Sequence, residues 1–210
     1  MRFADVDAVT VDGFGTLVEL LDPVPGLEEL LREQGAARNA AIVRDAFAAE
    51  AQYYRANSLS GRDERSLAQL RERCAQVFLD SAGADLDAAS FAPSFVASLR
   101  FRVLPGVTET LRGLRARGLE VAVVSNWDIS LHERVEELGL RPLTTTVVTS
   151  TEAGAEKPDP RIFLVALDRL GVDPARAVHV GDGEADAEGA AAAGIAFEPA
   201  PFVEAIRRWQ

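Results

Sequence analysis

Residues 8–17 read AVTVDGFGTL. Four apolar or β-branched residues run into an acid, and two glycines two positions apart then break the chain. Such a run is short, has no polar face and is closed by turn residues, so it reads as a strand buried on both sides. The candidate strand is Ala8–Asp12, with Asp12 at its carboxyl end. Comparable runs recur at Leu119–Ser125, Thr145–Ser150, Ala177–Gly181 and Ile195–Phe197. Between them apolar residues return at helical spacing, as in Val107, Leu111 and Leu114, in Leu131, Val135 and Leu138, and in Phe163, Leu167 and Leu170. Gly118, Gly139 and Gly171 close these helices where a left-handed residue is wanted, and Pro160 suits a first turn.

Strands alternating with helices predict an α/β fold: a Rossmann-like parallel sheet of about five strands with helices on both faces. The gap between the first and second strands is too long for a simple crossover. From about Asp22 to Leu99 the pattern is almost wholly helical. Val43, Phe47, Ala51 and Tyr54 share one face, as do Leu67, Leu70, Cys74, Val77 and Phe78, and Phe91, Phe95 and Leu99. The expected organisation is an α/β core over 1–20 and 101–210, interrupted over 21–100 by an inserted domain of about four helices. Its expected hinges lie near Leu17–Asp22 and Arg100–Gly106. Cys74 falls on an apolar face and reads as core.

Composition narrows the function. Hydrophobic residues make up 48% and charged residues 26% of 210, ordinary for a globular protein. No stretch reaches the roughly 18 apolar residues of a membrane span, and the first residues lack the pattern of a secretion signal. A single cysteine excludes an internal disulfide and suits a reducing compartment, so the cytoplasm is expected. A net charge of -11 disfavours nucleic acid and anionic membrane as partners and points to a small-molecule substrate. Nothing in the sequence bears on oligomeric state. Of 22 basic residues, all but Lys157 are arginine. A site that keeps the compact ammonium where the rest of the chain writes the planar fork marks Lys157 as a functional candidate.

Ligands collect at the carboxyl ends of strands in an open α/β sheet. Reading only those ends yields Asp12, then Ser125 and Asn126, then Lys157 just past the third strand, then Asp182 and Asp186. These are a nucleophile candidate, a hydroxyl donor, an ammonium and an anion pair, brought to one edge by topology.

The same residues carry a resemblance. VDGFGTL (11–17), VVSNWD (123–128), EKPDPRIF (156–163) and HVGDGEADAEGAAAAG (179–194) are similar, in order, to the four motifs of the haloacid dehalogenase (HAD) superfamily, and the helical insertion falls where one class of that superfamily carries its cap. The resemblance implies a hydrolase, most often a phosphatase, with Mg²⁺ as cofactor. The implied metal ligands are Asp12, the backbone carbonyl of Phe14, and Asp182. Asp12 would be the nucleophile and form an aspartyl-phosphate, with Ser125, Lys157 and Asp186 completing the catalytic set. Thr16, Ser125, Asn126 and Lys157 would bind substrate, a small phosphate ester or acyl phosphate, and the cap would set its identity.

One position departs from the pattern. The superfamily's phosphatases usually carry a second aspartate two residues after the nucleophile, to protonate the leaving group. Here that position is Phe14. Three readings follow: a phosphohydrolase that is slow or selects good leaving groups, a 2-haloacid dehalogenase, whose motif is aromatic there, or a phosphate- or partner-binding protein without turnover. The Gly181-Asp182 motif counts against the second. His132 and His179 are expected to be neither ligands nor bases, and Arg55, Arg62 and Arg65 are expected to be solvated.

Overall fold

A computed structural model of the chain describes residues 2–209. In chain order its strands are β1 (Ala8–Val11), β2 (Val18–Leu20), β3 (Phe101–Val103), β4 (Glu120–Ser125), β5 (Thr146–Thr149), β6 (Ala177–Gly181) and β7 (Ala196–Pro199). The α-helices are α1 (Val24–Glu33), α2 (Ala40–Asn57), α3 (Glu64–Ala82), α4 (Ala88–Ser98), α5 (Val107–Ala116), α6 (Leu131–Glu137), α7 (Ser150–Ala153), α8 (Arg161–Leu170), α9 (Glu184–Ala192) and α10 (Phe202–Arg207). The chain divides into two compact units: one runs to Glu19 and resumes at Arg102, and the other is Leu20–Phe101.

The first unit is built on a five-stranded sheet in the order β5-β4-β1-β6-β7, every neighbouring pair parallel. β1 lies at the centre and all four of its residues are buried, as its unbroken apolar reading requires. On one face Ile162, Phe163, Ala166 and Leu167 of α8 and Ala190 of α9 close over Ala8, Ala122, Val124, Val148 and Ala177. On the other, α5 and α10 pack together and against the sheet. Asp12 lies one residue past β1 rather than inside it, because the chain turns at once: Gly13 C=O accepts from the amides of Leu17 (2.9 Å) and Val18 (3.0 Å). Gly118, Gly139 and Gly171 all take positive φ just past their helices. Pro160 sits one position earlier than expected, at the N-cap of α8, with φ -65°.

The second unit is helical, with α1–α4 around an apolar cluster that includes Leu27, Leu31, Val43, Ala46, Phe78, Leu79, Phe91 and Phe95. Asp63 and Ser66 form a capping box at the start of α3. Cys74 is buried. Of the face expected on α2, Val43 is buried and Phe47 packs against this cluster, Ala51 and Tyr54 are partly covered, and the helix also buries Ala46 and Glu50. A two-stranded sheet of β2 and β3 lies where the chain passes between units; these three-residue strands are too short for periodicity to reveal. Among the described residues no helix is long and apolar enough to cross a membrane.

Candidate active site

Strand order locates the site. β1 connects onward to the β4 side of the sheet and β6 to the β7 side, so the adjacent strands β1 and β6 flank the point where the direction of winding reverses. Ligands bind at such a point, beyond the strand ends. Val11 pairs with Val123 and Val180, and the Asp12 amide donates to Val180 C=O at 2.9 Å. Asp12 therefore leaves β1 level with Gly181-Asp182 at the end of β6 and near Ser125 at the end of β4.

A buried ionic network fills this edge. Lys157 Nζ donates to Asp12 Oδ1 (2.5 Å), Asp186 Oδ1 (2.6 Å) and Val124 C=O (3.2 Å). Ser125 Oγ donates to Asp12 Oδ1 at 3.0 Å. Asp12, Ser125, Lys157 and Asp186 are each 7% exposed or less. Burial alone pulls the Lys157 pKa down, but the charges of Asp12 and Asp186 and their hydrogen bonds more than reverse this and hold it above the ordinary lysine value. Burial likewise pushes the Asp186 carboxyl up, and the His179 and Lys157 contacts drive it well below the usual carboxylate range. Small residues make room. A Cβ on Gly181 would overlap the Asp186 carboxylate, and one on Gly15, where φ is +82°, would overlap Asp182.

The residues present fit a hard dication. Asp12, Asp182 and Asp186 offer ligand atoms within 4.8 Å of one another. Asp186 has its oxygens engaged: Oδ1 takes Lys157 and His179 (2.8 Å), and Oδ2 takes the Gly183 amide (3.1 Å). Asp12 has Oδ1 engaged by Lys157 and Ser125. Asp182 is exposed, and its pKa is raised by partial burial and then by repulsion from Asp12 and Asp186. Burial lowers the His179 pKa despite its bond to Asp186, which favours the neutral ring. Three carboxylates thus face one ammonium, and the surplus of two negative charges matches a divalent cation with oxygen ligands. In the turn after β1, the Gly13 carbonyl and the Gly15 amide make the bonds to Val18 (3.0 and 2.8 Å), leaving the Phe14 carbonyl outside that pairing.

Not every expected residue joins the network. Asn126 spends its amide on the Lys157 backbone, accepting from Lys157 N at 2.7 Å and donating to Lys157 C=O at 3.1 Å; it ties the second and third motifs together. Thr16 is 2% exposed and its buried hydroxyl has no hydrogen-bond partner among the described residues. Phe14 is 49% exposed. His179 was missed by sequence reasoning. It is fully buried and bonds both Asp186 and Thr10. The signal was a lone polar residue in the apolar strand AVHVG (177–181), in register with Thr10.

A family model described as haloacid dehalogenase-like hydrolase matches residues 6–194. Over 102 residues, 48% of this chain, the sequence is 47% identical to mouse "Haloacid dehalogenase-like hydrolase domain-containing protein 3". Over 93 residues, 43% of the chain, it is 43% identical to a glyceraldehyde 3-phosphate phosphatase of Methanopyrus kandleri. These stretches span about two fifths of the relatives' own lengths, 41% and 40%. A magnesium-bound HAD-hydrolase of Bacillus subtilis has a similar fold, with a TM-score of 0.70 at 17% identity over 94% of this chain and 88% of that one. The L-2-haloacid dehalogenase of Xanthobacter autotrophicus gives 0.68 at 24% identity, over 91% and 76%.

Proposed function

Since the chain belongs to the haloacid dehalogenase-like hydrolase family, we propose that it is a magnesium-dependent phosphohydrolase that attacks a small phosphate ester or acyl phosphate with Asp12. The observation that carries this is the position of Lys157 Nζ, shared between Asp12 at 2.5 Å and Asp186 at 2.6 Å. Relatives named as phosphatases of small sugar phosphates support the substrate class.

In this reading Ser125 and Lys157 hold Oδ1 of Asp12, leaving Oδ2 to form a bond to phosphorus as the bond to the leaving oxygen breaks. Water then splits the aspartyl-phosphate and restores the carboxylate. Lys157 offsets charge on Asp12 and on the incoming phosphoryl group, and Asp186 orients Lys157. Mg²⁺, held by Asp12, Asp182 and the Phe14 carbonyl, would cancel the repulsion between anionic nucleophile and anionic substrate. Phe14 has no proton to give, so leaving groups that depart as stable anions are favoured, as from aryl and acyl phosphates. Residues 21–100 are assigned as the cap and given the choice of substrate, and the protein is placed in the cytoplasm, where a lone buried cysteine stays reduced.

Phe14 also favours a second reading, a 2-haloacid dehalogenase, because halide leaves unprotonated. Assaying p-nitrophenyl phosphate and 2-chloropropionate in parallel, with and without Mg²⁺, separates the two. Magnesium-dependent phosphate release, lost in Asp12→Asn, is expected. Halide release without metal would replace it, and phosphate binding with no turnover would identify a binding protein. In the expected case, Phe14→Asp raises kcat on alkyl phosphates by up to about 10²–10⁴, the usual worth of a general acid. No gain would show that another group already delivers the proton.

A further inference from the structure

We propose that His179 is a positioning residue for this site: backed by Thr10, it fixes the Asp186 carboxylate, which in turn aims Lys157 Nζ at Asp12.

His179 lies in β6 opposite Thr10 in β1 and is 0% exposed. Its Nε2 is 2.8 Å from Asp186 Oδ1, the same oxygen that accepts from Lys157. Its Nδ1 is 2.9 Å from Thr10 Oγ1. An ionised carboxylate only accepts, so Nε2 carries the proton and Nδ1 accepts a hydrogen bond from the threonine hydroxyl. The hydroxyl's other partner, Val178 C=O, is farther away at 3.4 Å. The ring is held edge-on by Phe163, centroid to centroid 4.8 Å, with Phe197 at 6.3 Å. A chain of contacts thus runs Thr10–His179–Asp186–Lys157–Asp12, every side chain in it buried. Packing alone does not ask for histidine here. Val178 and Val180 flank it, and an apolar residue would avoid the desolvation that a buried imidazole suffers. What histidine adds is a donor on a rigid ring, aimed at the one oxygen that orients the ammonium. Partners behind the groups that touch the reacting atoms typically change activity by about 10–100-fold.

The proposal rests on Asp12 as the reacting carboxylate, and its test includes a readout that does not. Lys157 is the sole lysine, so ¹⁵N-lysine labelling yields one side-chain ammonium signal without assignment. In the wild type that signal is expected to be sharp and slow to exchange with water. In His179→Leu its exchange should quicken at least about tenfold through freer local opening, and kcat on p-nitrophenyl phosphate should fall about 10–100-fold with KM within a factor of about two. His179→Gln, which keeps a donor near the Nε2 position, should restore both. If His179→Leu fails to fold, Thr10→Val, which keeps the shape and removes the partner of Nδ1, should move both readouts the same way. Unchanged ammonium exchange, or equal damage from leucine and glutamine, overturns the proposal. A wild type without phosphate release refutes the phosphohydrolase reading, and the ammonium signal still decides on His179.

Discussion

The two units solve opposite problems in their interiors. At the strand ends of the α/β unit, Asp12, Lys157, Asp186 and His179 are buried together and bonded to one another. The helical unit is held by aromatic packing, with Phe78 5.0 Å from Phe95 and 6.0 Å from Phe91, and it buries Glu50, 4% exposed. The physics is shared and the outcome is reversed. Burial raises both acids, but the contacts of Asp186 with His179 and Lys157 overturn that and keep it charged. Against its burial Glu50 has a hydrogen bond with Cys74 and the charge of Arg55, and its pKa climbs to about 7. A buried carboxyl stays ionised, and useful to chemistry, only where counter-charge and donors are built around it.

Removing the counter-charge is the strongest way to break this contrast. Lys157→Met leaves Asp12 and Asp186 buried against each other, a loss that typically costs about 3–5 kcal/mol. Hydrolysis should vanish with it. Lys157→Arg should not restore activity, because a planar fork cannot bring one nitrogen to both Oδ1 atoms in the space of an ammonium. The stability deficit should shrink as pH falls, since protons then neutralise the abandoned carboxylates. Chemical denaturation at pH 5 and pH 8 measures it, and a variant as stable as wild type at pH 8 would show that the network is not ionic.

Glu50 sharpens the same contrast from the other side. Its folded-state pKa lies above the ordinary 4.5, so the stability it contributes is fully present below about pH 4.5 and is lost as pH rises through about 7. Glu50→Gln removes that slope. The variant should gain about 3 kcal/mol at pH 8 and less than about 1 kcal/mol at pH 5. Equal gains at both pH values would mean that the carboxyl is already compensated.

The same residues explain what the sequence could and could not reveal. Asp12, Ser125, Lys157, Asp182 and Asp186 were legible because each lies at or beyond the carboxyl end of a strand, where topology gathers the chain, and within a stretch that resembles a family motif. His179 was not, because it lies inside a strand, and only the pairing of β6 with β1 brings it to Thr10 and Asp186. On α2 Val43 and Phe47 do meet the helical core, and what the reading missed is Glu50, because an acid gives no apolar signal at a buried position. β2 and β3 escaped because three residues hold no period.

The smallest effect concerns arginine, which fills nearly every basic position in this chain. In the helical unit Arg38 spreads one guanidinium over four backbone carbonyls: Nε donates to Ala82 (2.7 Å), Nη1 to Ala36 (3.3 Å) and Ala37 (3.0 Å), and Nη2 to Gly83. Ala82 ends α3 and Gly83 is its C-cap, so the fork satisfies carbonyls that the helix leaves open. An ammonium is a point and cannot serve both sides of that arrangement. Arg38→Lys should therefore cost about 1 kcal/mol, read as a lower denaturation midpoint. The same exchange at Arg32, whose partner is the exposed Glu29 on one turn of α1, should be silent by the same measurement. Equal costs at the two positions would mean that fork geometry is irrelevant in this chain, and the solitary lysine would then lose its chemical explanation.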